Sequence, residues 1–291
     1  MKRLSIFTLI LFGLSFSIAP TTPLELGIGA RPCGMGSAFV AISDDANSPY
    51  WNPAGLGFLK ARQATFMHWM MSEVKGVMVD YFGAVAPLAR SSYPYGVGFT
   101  WLGKRASLEE EEDNVKSTIT ENAFSLSYGI RLLTRTAVGF SLNRLSITAK
   151  RGEGSGFGID VGLLLKPLEN KGLTVGFLAR NLSADIKNEN FPSSYRMGFG
   201  YRFLGEKAVL AMDLTTKKGV NNKKGMSLDF FSGAEYQVIP QLALRLGWNT
   251  RDALSFGLGI EVKKVKFDYA FNTGDKKVFG SAHRFALGYS F

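Results

Sequence analysis

From residue 61 to the end, the chain alternates apolar and polar residues in short runs separated by turn signals, the pattern of an all-β sandwich or barrel. The last run is the clearest. Within Ala282–Phe291, Phe285, Leu287, Tyr289 and Phe291 fall on one face and Arg284, Ala286, Gly288 and Ser290 on the other. Upstream, Leu242, Leu244, Leu246 and Trp248 oppose Ala243, Arg245, Gly247 and Asn249. Tyr195, Met197, Phe199, Tyr201 and Phe203 likewise oppose Arg196, Gly198, Gly200 and Arg202. A soluble sandwich would carry mostly Lys, Glu and Thr on its second face. Here that face is glycine and small residues with isolated charges, which suits the crowded polar lumen of a barrel whose outer face meets lipid.

The alternation predicts strands near 62–70, 76–86, 94–102, 122–131, 136–147, 156–165, 173–182, 194–203, 207–215, 226–237, 242–250, 254–262, 265–271 and 282–291. These make about fourteen, an even number, near the ~9–11 residues that a tilted spanning strand needs. The connections alternate too. Leu133–Arg135, Leu204–Glu206, Ile239–Gln241 and Lys263-Lys264 are short, whereas Gly103–Glu121, Ser183–Pro192, Thr216–Gly225 and Asn272–Gly280 are longer and more charged. Outer-membrane barrels show this asymmetry, with short periplasmic turns and long outer loops. The expected fold class is therefore an all-β, antiparallel outer-membrane barrel.

The stretch from Gly27 to Leu56 has no alternation. Gly34-Met35-Gly36 gives a permissive backbone, and Ser37–Ile42 is long enough for a helix of one or two turns. Asn52-Pro53-Ala54-Gly55 reads as a single capped turn, with an N-cap asparagine, a proline at the first helical position and a glycine at the end. Small side chains interspersed with Phe39, Tyr50 and Trp51 cannot fold alone but suit packing inside something larger, so a hatch within the barrel is expected. Ahead of it, Lys2-Arg3, the apolar Leu4–Phe16 and Ser17-Ile18-Ala19 read as an export signal. After it, no apolar run reaches the roughly 18 residues of a spanning helix. The expected division is signal peptide 1–19, hatch 20–60 and barrel 61–291.

Net charge is +10 with a pI near 9.6. Nucleic acid is not the expected partner, because the chain is exported and the basic residues are spread over loops and strands with no single patch. Anionic lipid or surface phosphate groups are the expected ones. Cys33 reads as a small buried thiol, and a single cysteine excludes an internal disulfide. His68 and His283, the two histidines, fall on the lipid face or near a rim, so a Ser/His catalytic pair is not expected. No zinc motif occurs, and Gly27-Ile28-Gly29 and Gly34-Met35-Gly36 fail the dinucleotide fingerprint. Asp44-Asp45 reads as a helix cap or as the partner of a barrel arginine rather than as a calcium site. No enzyme, cofactor or metal is expected. The lumen phase holds Asp160, Arg196, Arg202, Asp229, Glu235, Arg245, Glu261, Asp268 and Arg284, which either pair with the hatch and one another or form a polar path. Gly96 and Gly98 serve either lumen crowding or a kink that opens a lateral gap.

Gly29-Ala30-Arg31-Pro32, Gly34-Met35-Gly36, Ala38-Phe39-Val40-Ala41, Asp44-Asp45-Ala46 and Tyr50-Trp51-Asn52-Pro53-Ala54-Gly55-Leu56 together resemble the N-terminal signature of the PorV/PorQ family, which is similar to the FadL-type transporters of hydrophobic compounds. The resemblance implies a fourteen-stranded barrel with a hatch in which Gly34, Gly36, Asn52, Pro53, Ala54 and Gly55 act as gate. It also implies a small hydrophobic substrate or, as in PorV-like members, an exported cargo protein docked at the cell surface. The apolar final strand ending in Tyr289 and Phe291 resembles the terminal signal of outer-membrane barrels, which implies the barrel-assembly machinery as a partner.

Overall fold

The computed structural model describes residues 26–71, 76–88, 93–110, 115–149, 152–168, 172–182, 185–186, 189–190, 193–218, 226–251, 253–274 and 280–291. Its strands are β1 Gln63–Met71, β2 Val77–Pro87, β3 Tyr95–Glu110, β4 Val115–Leu133, β5 Thr136–Ala149, β6 Gly152–Leu165, β7 Leu173–Leu182, β8 Asp185–Ile186, β9 Glu189–Asn190, β10 Ser194–Phe203, β11 Ala208–Lys218, β12 Met226–Ile239, β13 Leu242–Asn249, β14 Ala253–Val262, β15 Val265–Asn272 and β16 Ala282–Ser290. All except β8 and β9 close into one fourteen-stranded antiparallel barrel, in which β1 pairs with both β2 and β16. Closure leaves no sheet edge with unpaired backbone groups. Phe291 adds to the seam, its N–H donating to the Arg62 carbonyl at 3.0 Å.

The alternation assigned the two faces correctly. Leu126, Phe140, Leu142, Tyr195, Phe199, Met212, Leu244, Leu246, Trp248, Phe256, Leu287 and Tyr289 are exposed on the outside, and the residues between them are buried or half-buried inside. An apolar surface running around the whole barrel is far larger than the patches that soluble proteins expose. It is the surface of a barrel immersed in lipid. Among the described residues no helix is long and apolar enough to cross a membrane, so any crossing is by strands.

Two expectations about the barrel need correction. The stretch Gly103–Glu121 is mostly strand: β3 and β4 remain in register from Tyr95↔Ile130 to Glu110↔Val115. Its Lys, Glu and Thr residues hide the period-two signal, because beyond the apolar belt neither face of a protruding hairpin needs to be greasy. Within Ser183–Pro192 the short strands β8 and β9 pair as a separate hairpin. The signal peptide 1–19 and residues 111–114 within the Gly103–Glu121 stretch lie outside the described residues.

The N-terminal segment lies inside the barrel. It contains a short helix at Ala30–Gly34, a second at Ser48–Trp51 and a 3-10 helix at Pro53–Phe58. The first helix packs against β13 to β16, and the 3-10 helix against β2 to β6. The expected helix at Ser37–Ile42 is a series of turns instead. Gly36 (φ 62°) and Ser37 (φ 66°) are left-handed and end the preceding helix. The amides of Phe39 and Val40 then turn outward to Asp213 on the wall, at 2.8 and 3.1 Å, instead of continuing a helical ladder.

Candidate functional site

The N-terminal segment folds around its aromatic residues. Phe39, Tyr50 and Trp51 are buried, with Trp51 edge-on to Phe39 and to Tyr50 at centroid distances of 6.1 and 5.4 Å. Trp51 Nε1 donates to the Ile28 carbonyl at 2.9 Å, and the Tyr50 hydroxyl to that of Leu26. Cys33 is buried among the same residues. Asn52 does cap the turn after it, its Oδ1 accepting from Ala54 N at 3.1 Å, although the turn runs past Gly55 to Phe58. The Asn52 amide also donates to the Val40 carbonyl at 3.0 Å and to the Leu163 carbonyl of β6 at 3.1 Å. One side chain therefore ties two parts of the segment to the wall.

The wall receives the segment on glycines. A Cβ on Gly96 of β3 would stand 2.6 Å from the Leu56 carbonyl oxygen, and one on Gly176 of β7 would stand 2.5 Å from that of Val40. Gly98, Gly129, Gly139, Gly162, Gly233 and Gly247 approach the segment more closely still, at Pro49, Pro53, Ala54, Asn52, Met35 and Gly36. Gly34 rests on the Gly257 backbone of β14, where its own Cβ would be 2.9 Å from the Gly257 Cα. A ring of lumen glycines from β3 to β14 thus lets the main chain of the segment lie directly on the main chain of the wall. This accounts for the small residues on the second face. It also gives Gly96 and Gly98 a role in crowding, since β3 keeps its pairing with β2 and β4 through both positions.

Polar wall side chains satisfy the backbone of this irregular segment, as buried peptide groups require. Asn249 donates to the Gly36 carbonyl at 3.2 Å, Asn272 to that of Cys33 at 3.3 Å and Arg284 to that of Gly27 at 3.3 Å. Arg196 and Arg180 donate to the carbonyls of Ser37 and Tyr50. Arg196 also pairs with Asp213 at 3.0 Å, and Asp160 faces Arg180 at 3.7 Å.

Toward the short-turn end, an ion network crosses from segment to wall. Arg31 meets Asp44 at 2.6 Å, Asp45 at 2.8 Å and both oxygens of Glu235 at 2.8 and 2.9 Å. Arg202 takes the other oxygen of Asp44 at 2.8 Å. Arg245 joins Glu235 at 2.6 Å to Asp268 at 2.7 Å, the latter an ion pair without a hydrogen-bond angle. Burial alone would lower the pKa of Arg31, but the carboxylates of Asp44, Glu235 and Asp45 raise it well above the ordinary value. Burial would raise Asp44, yet Arg31 and Arg202 hold it at about 2. A cavity of about 250 Å³, lined by Arg31, Asp44, Glu235, Arg245, Glu261 and Asp268 among others, opens beside this network.

Most of the lumen charges expected from the alternation thus converge on the segment or on its partners, which is the pairing alternative. Asp229 binds Arg251 instead, and Glu261 is exposed at the short-turn mouth. Of the readings for Asp44-Asp45 the structure shows the pairing one, Asp44 holding a barrel arginine. Asp45 accepts from Asn47 N at 2.8 Å in a turn ahead of the Ser48–Trp51 helix, whose N-cap residue is Asn47. Among the described residues no group of three or more His, Cys, Asp or Glu is placed to hold a metal ion. His68 and His283 point outward, His68 to Asp80 at 2.7 Å and His283 to Tyr269 at 2.8 Å. Asp213 and Arg180 were not singled out by sequence, although the same alternation that selects Asp160 places both in the lumen.

The basic side chains are less dispersed than the sequence implied. Lys60, Arg62, Arg131, Arg135, Lys166, Lys207 and Lys263-Lys264 gather at the short-turn end, because successive turns separated in sequence meet there.

A barrel filled by a buried N-terminal segment is the class these observations define. No protein-family model matches the chain, and no curated protein is similar to it at a significant level. Solved structures do share its fold. The CymD monoaromatic hydrocarbon channel superposes with a TM-score of 0.67 at 14% identity, covering 91% of this chain and 98% of that one. The toluene transporter TodX of Pseudomonas putida gives 0.67 at 14%, covering 93% and 99%. A FadL homologue of Pseudomonas aeruginosa gives 0.62 at 11%, covering 94% and 98%. The barrel is therefore FadL-like in fold.

Proposed function

We propose that the chain is a non-enzymatic outer-membrane barrel that binds or passes small hydrophobic compounds, with residues 20–60 as a plug and Gly34, Gly36, Asn52, Pro53, Ala54 and Gly55 as its gate. The observation that carries this reading is the asymmetry of the lumen wall. On β1 to β5 Met67, Trp69, Val79, Tyr81, Leu102, Ala123 and Leu145 join one apolar cluster with the plug, flanked by Met71 and Ile147. The polar residues buried on these strands, such as Thr100, Ser125, Ser141 and Asn143, are uncharged. From β6 round to β16 the plug is held chiefly by charges and amides, although Val209, Ala211 and Phe231 belong to the same apolar cluster. A plug whose ion pairs to the wall lie on one side, with only weak polar contacts on the other, opens most easily along the apolar seam, where an apolar solute is stabilised and an ion is not. The shared fold with hydrocarbon channels supports the same reading.

Native mass spectrometry of the barrel purified from its own membrane in mild detergent tests it. A stoichiometric hydrophobic molecule, lost when Asn52 or Pro53 is altered, is the expected result; an empty lumen with and without the substitutions would overturn it. The signature at Gly29–Leu56 also supports PorV/PorQ kinship, in which the outer loops dock an exported protein. A co-purifying exported protein with an empty lumen would transfer the role to secretion.

A further inference from the structure

The short-turn mouth holds cations that the plug network leaves over. Lys166 follows β6 directly and continues its lumen-facing series, Arg131 lies on the lumen face at the end of β4, and Lys60 follows the last turn of the plug. Two of them meet one ring: Lys166 Nζ lies 4.1 Å from the centroid of Phe58, and the Arg131 guanidinium carbon 5.8 Å from it, while Lys60 is exposed nearby. Arg202, beside them, already has Asp44. Among the described residues no carboxylate lies within ion-pair distance of Lys60, Arg131 or Lys166. Burial, with Arg202, Lys60 and Arg131 close by, pushes the Lys166 ammonium below its ordinary pKa, and Glu206 opposes this only in part.

Lysines with no task extend into water and separate. Lys166 and Arg131 instead converge from separate strands on one aromatic face, with Lys60 nearby, and Glu206 offsets their mutual repulsion only in part. A bound oxyanion removes that repulsion. The planar fork of arginine takes two oxygens of a carboxylate or phosphate, and the two lysines add point charges.

We propose that the short-turn mouth is an oxyanion site, in which a carboxylate or phosphate group binds against Lys60, Arg131 and Lys166 at the edge of Phe58. Phe58 ends the plug and Lys60 lies in the linker from plug to β1, whereas Arg131 and Lys166 belong to the wall. The anion therefore bridges plug to barrel and holds the plug seated. Two sources share this chemistry: a free or headgroup phosphate, and an acid with an apolar tail. The inference stands apart from transport, since it concerns binding and plug stability alone.

The test uses the full barrel in non-ionic detergent at constant ionic strength, with inorganic phosphate, acetate and decanoate as probes, read by thermal unfolding and calorimetry. Wild type should show a saturable rise in Tm with phosphate or decanoate, and Lys166→Gln and Arg131→Gln should each bind about tenfold more weakly or worse, as expected for loss of one charge-assisted contact. In anion-poor buffer Lys166→Gln should be at least as stable as wild type, because repulsion is relieved. That result separates an anion site from a merely structural lysine. A response to decanoate well above that to acetate identifies the tailed acid, and a response to phosphate identifies the headgroup or free ion. No saturable response at constant ionic strength, or an equal one in wild type and both variants, would overturn the proposal.

Discussion

Gly176→Ala probes the seat of the plug at one methyl group. The new Cβ would stand 2.5 Å from the Val40 carbonyl oxygen and 2.8 Å from the Ala41 Cα. Both are main-chain atoms, so no side chain can rotate away. Ordinary contact begins at 3.4 Å, so the Val40–Ala41 turn must retreat by about 0.9 Å. The same carbonyl accepts the Asn52 amide at 3.0 Å, and that bond lengthens with it. Overpacking of this kind costs about 1–3 kcal/mol. Each 1.4 kcal/mol is tenfold, so the unseated fraction should rise roughly 5- to 150-fold. Barrel pairing is untouched, because Gly176 keeps its partners Leu164 and Gly198. Chymotrypsin reads the effect: cleavage after the buried Phe39 or Trp51 requires the plug to leave its seat, and under native conditions its rate follows that open fraction. Gly288→Ala is the control, since its Cβ would meet nothing nearer than 3.5 Å. Equal cleavage rates for wild type and Gly176→Ala in an assembled barrel would refute direct seating of main chain on main chain.

Three further outcomes follow from the same geometry. Arg31→Gln removes the cation that Asp44, Asp45 and Glu235 share, leaving Asp44 with Arg202 and Glu235 with Arg245. The loss should therefore stay below the ~3–5 kcal/mol of a buried ion pair broken outright, measurable as a lower denaturant midpoint for release of Trp51 fluorescence. Asp44, held at about 2 when folded against about 3.9 when unfolded, contributes stability above its unfolded pKa that is lost as pH falls toward 2. Plug protection should be flat from pH 7 to about 5 and weaken below about 4, modestly because the Asp44 side chain is 40% exposed; protection that falls between pH 7 and 5 would contradict this. Asn52→Ala leaves the carbonyls of Val40 and Leu163 without their donor, which should cost about 1–3 kcal/mol of plug attachment and speed chymotrypsin cleavage in proportion.

The barrel was legible in the sequence because one physical requirement, lipid outside and a different environment inside, writes a period of two into every belt strand. Leu244, Arg245 and Leu246 announce their faces by alternation alone. Where that requirement lapses the signal goes too: Lys104 to Glu110 and Val115 to Thr120 are strand without a greasy face. The plug was legible as a contrast in style but not in detail. Ser37–Ile42 has the residues of a helix, and only Asp213, distant in sequence, turns its amides aside. The basic mouth was invisible for the same reason, since Lys60, Arg131 and Lys166 become neighbours only when the barrel closes.

A plug that fills the lumen blocks ions, and conductance across planar bilayers reads that block. Wild type should show almost no steady conductance, and a chain lacking residues 27–59 should open a pore of porin-like conductance. Steady, large conductance through the intact wild-type barrel would mean that the plug leaves the lumen open.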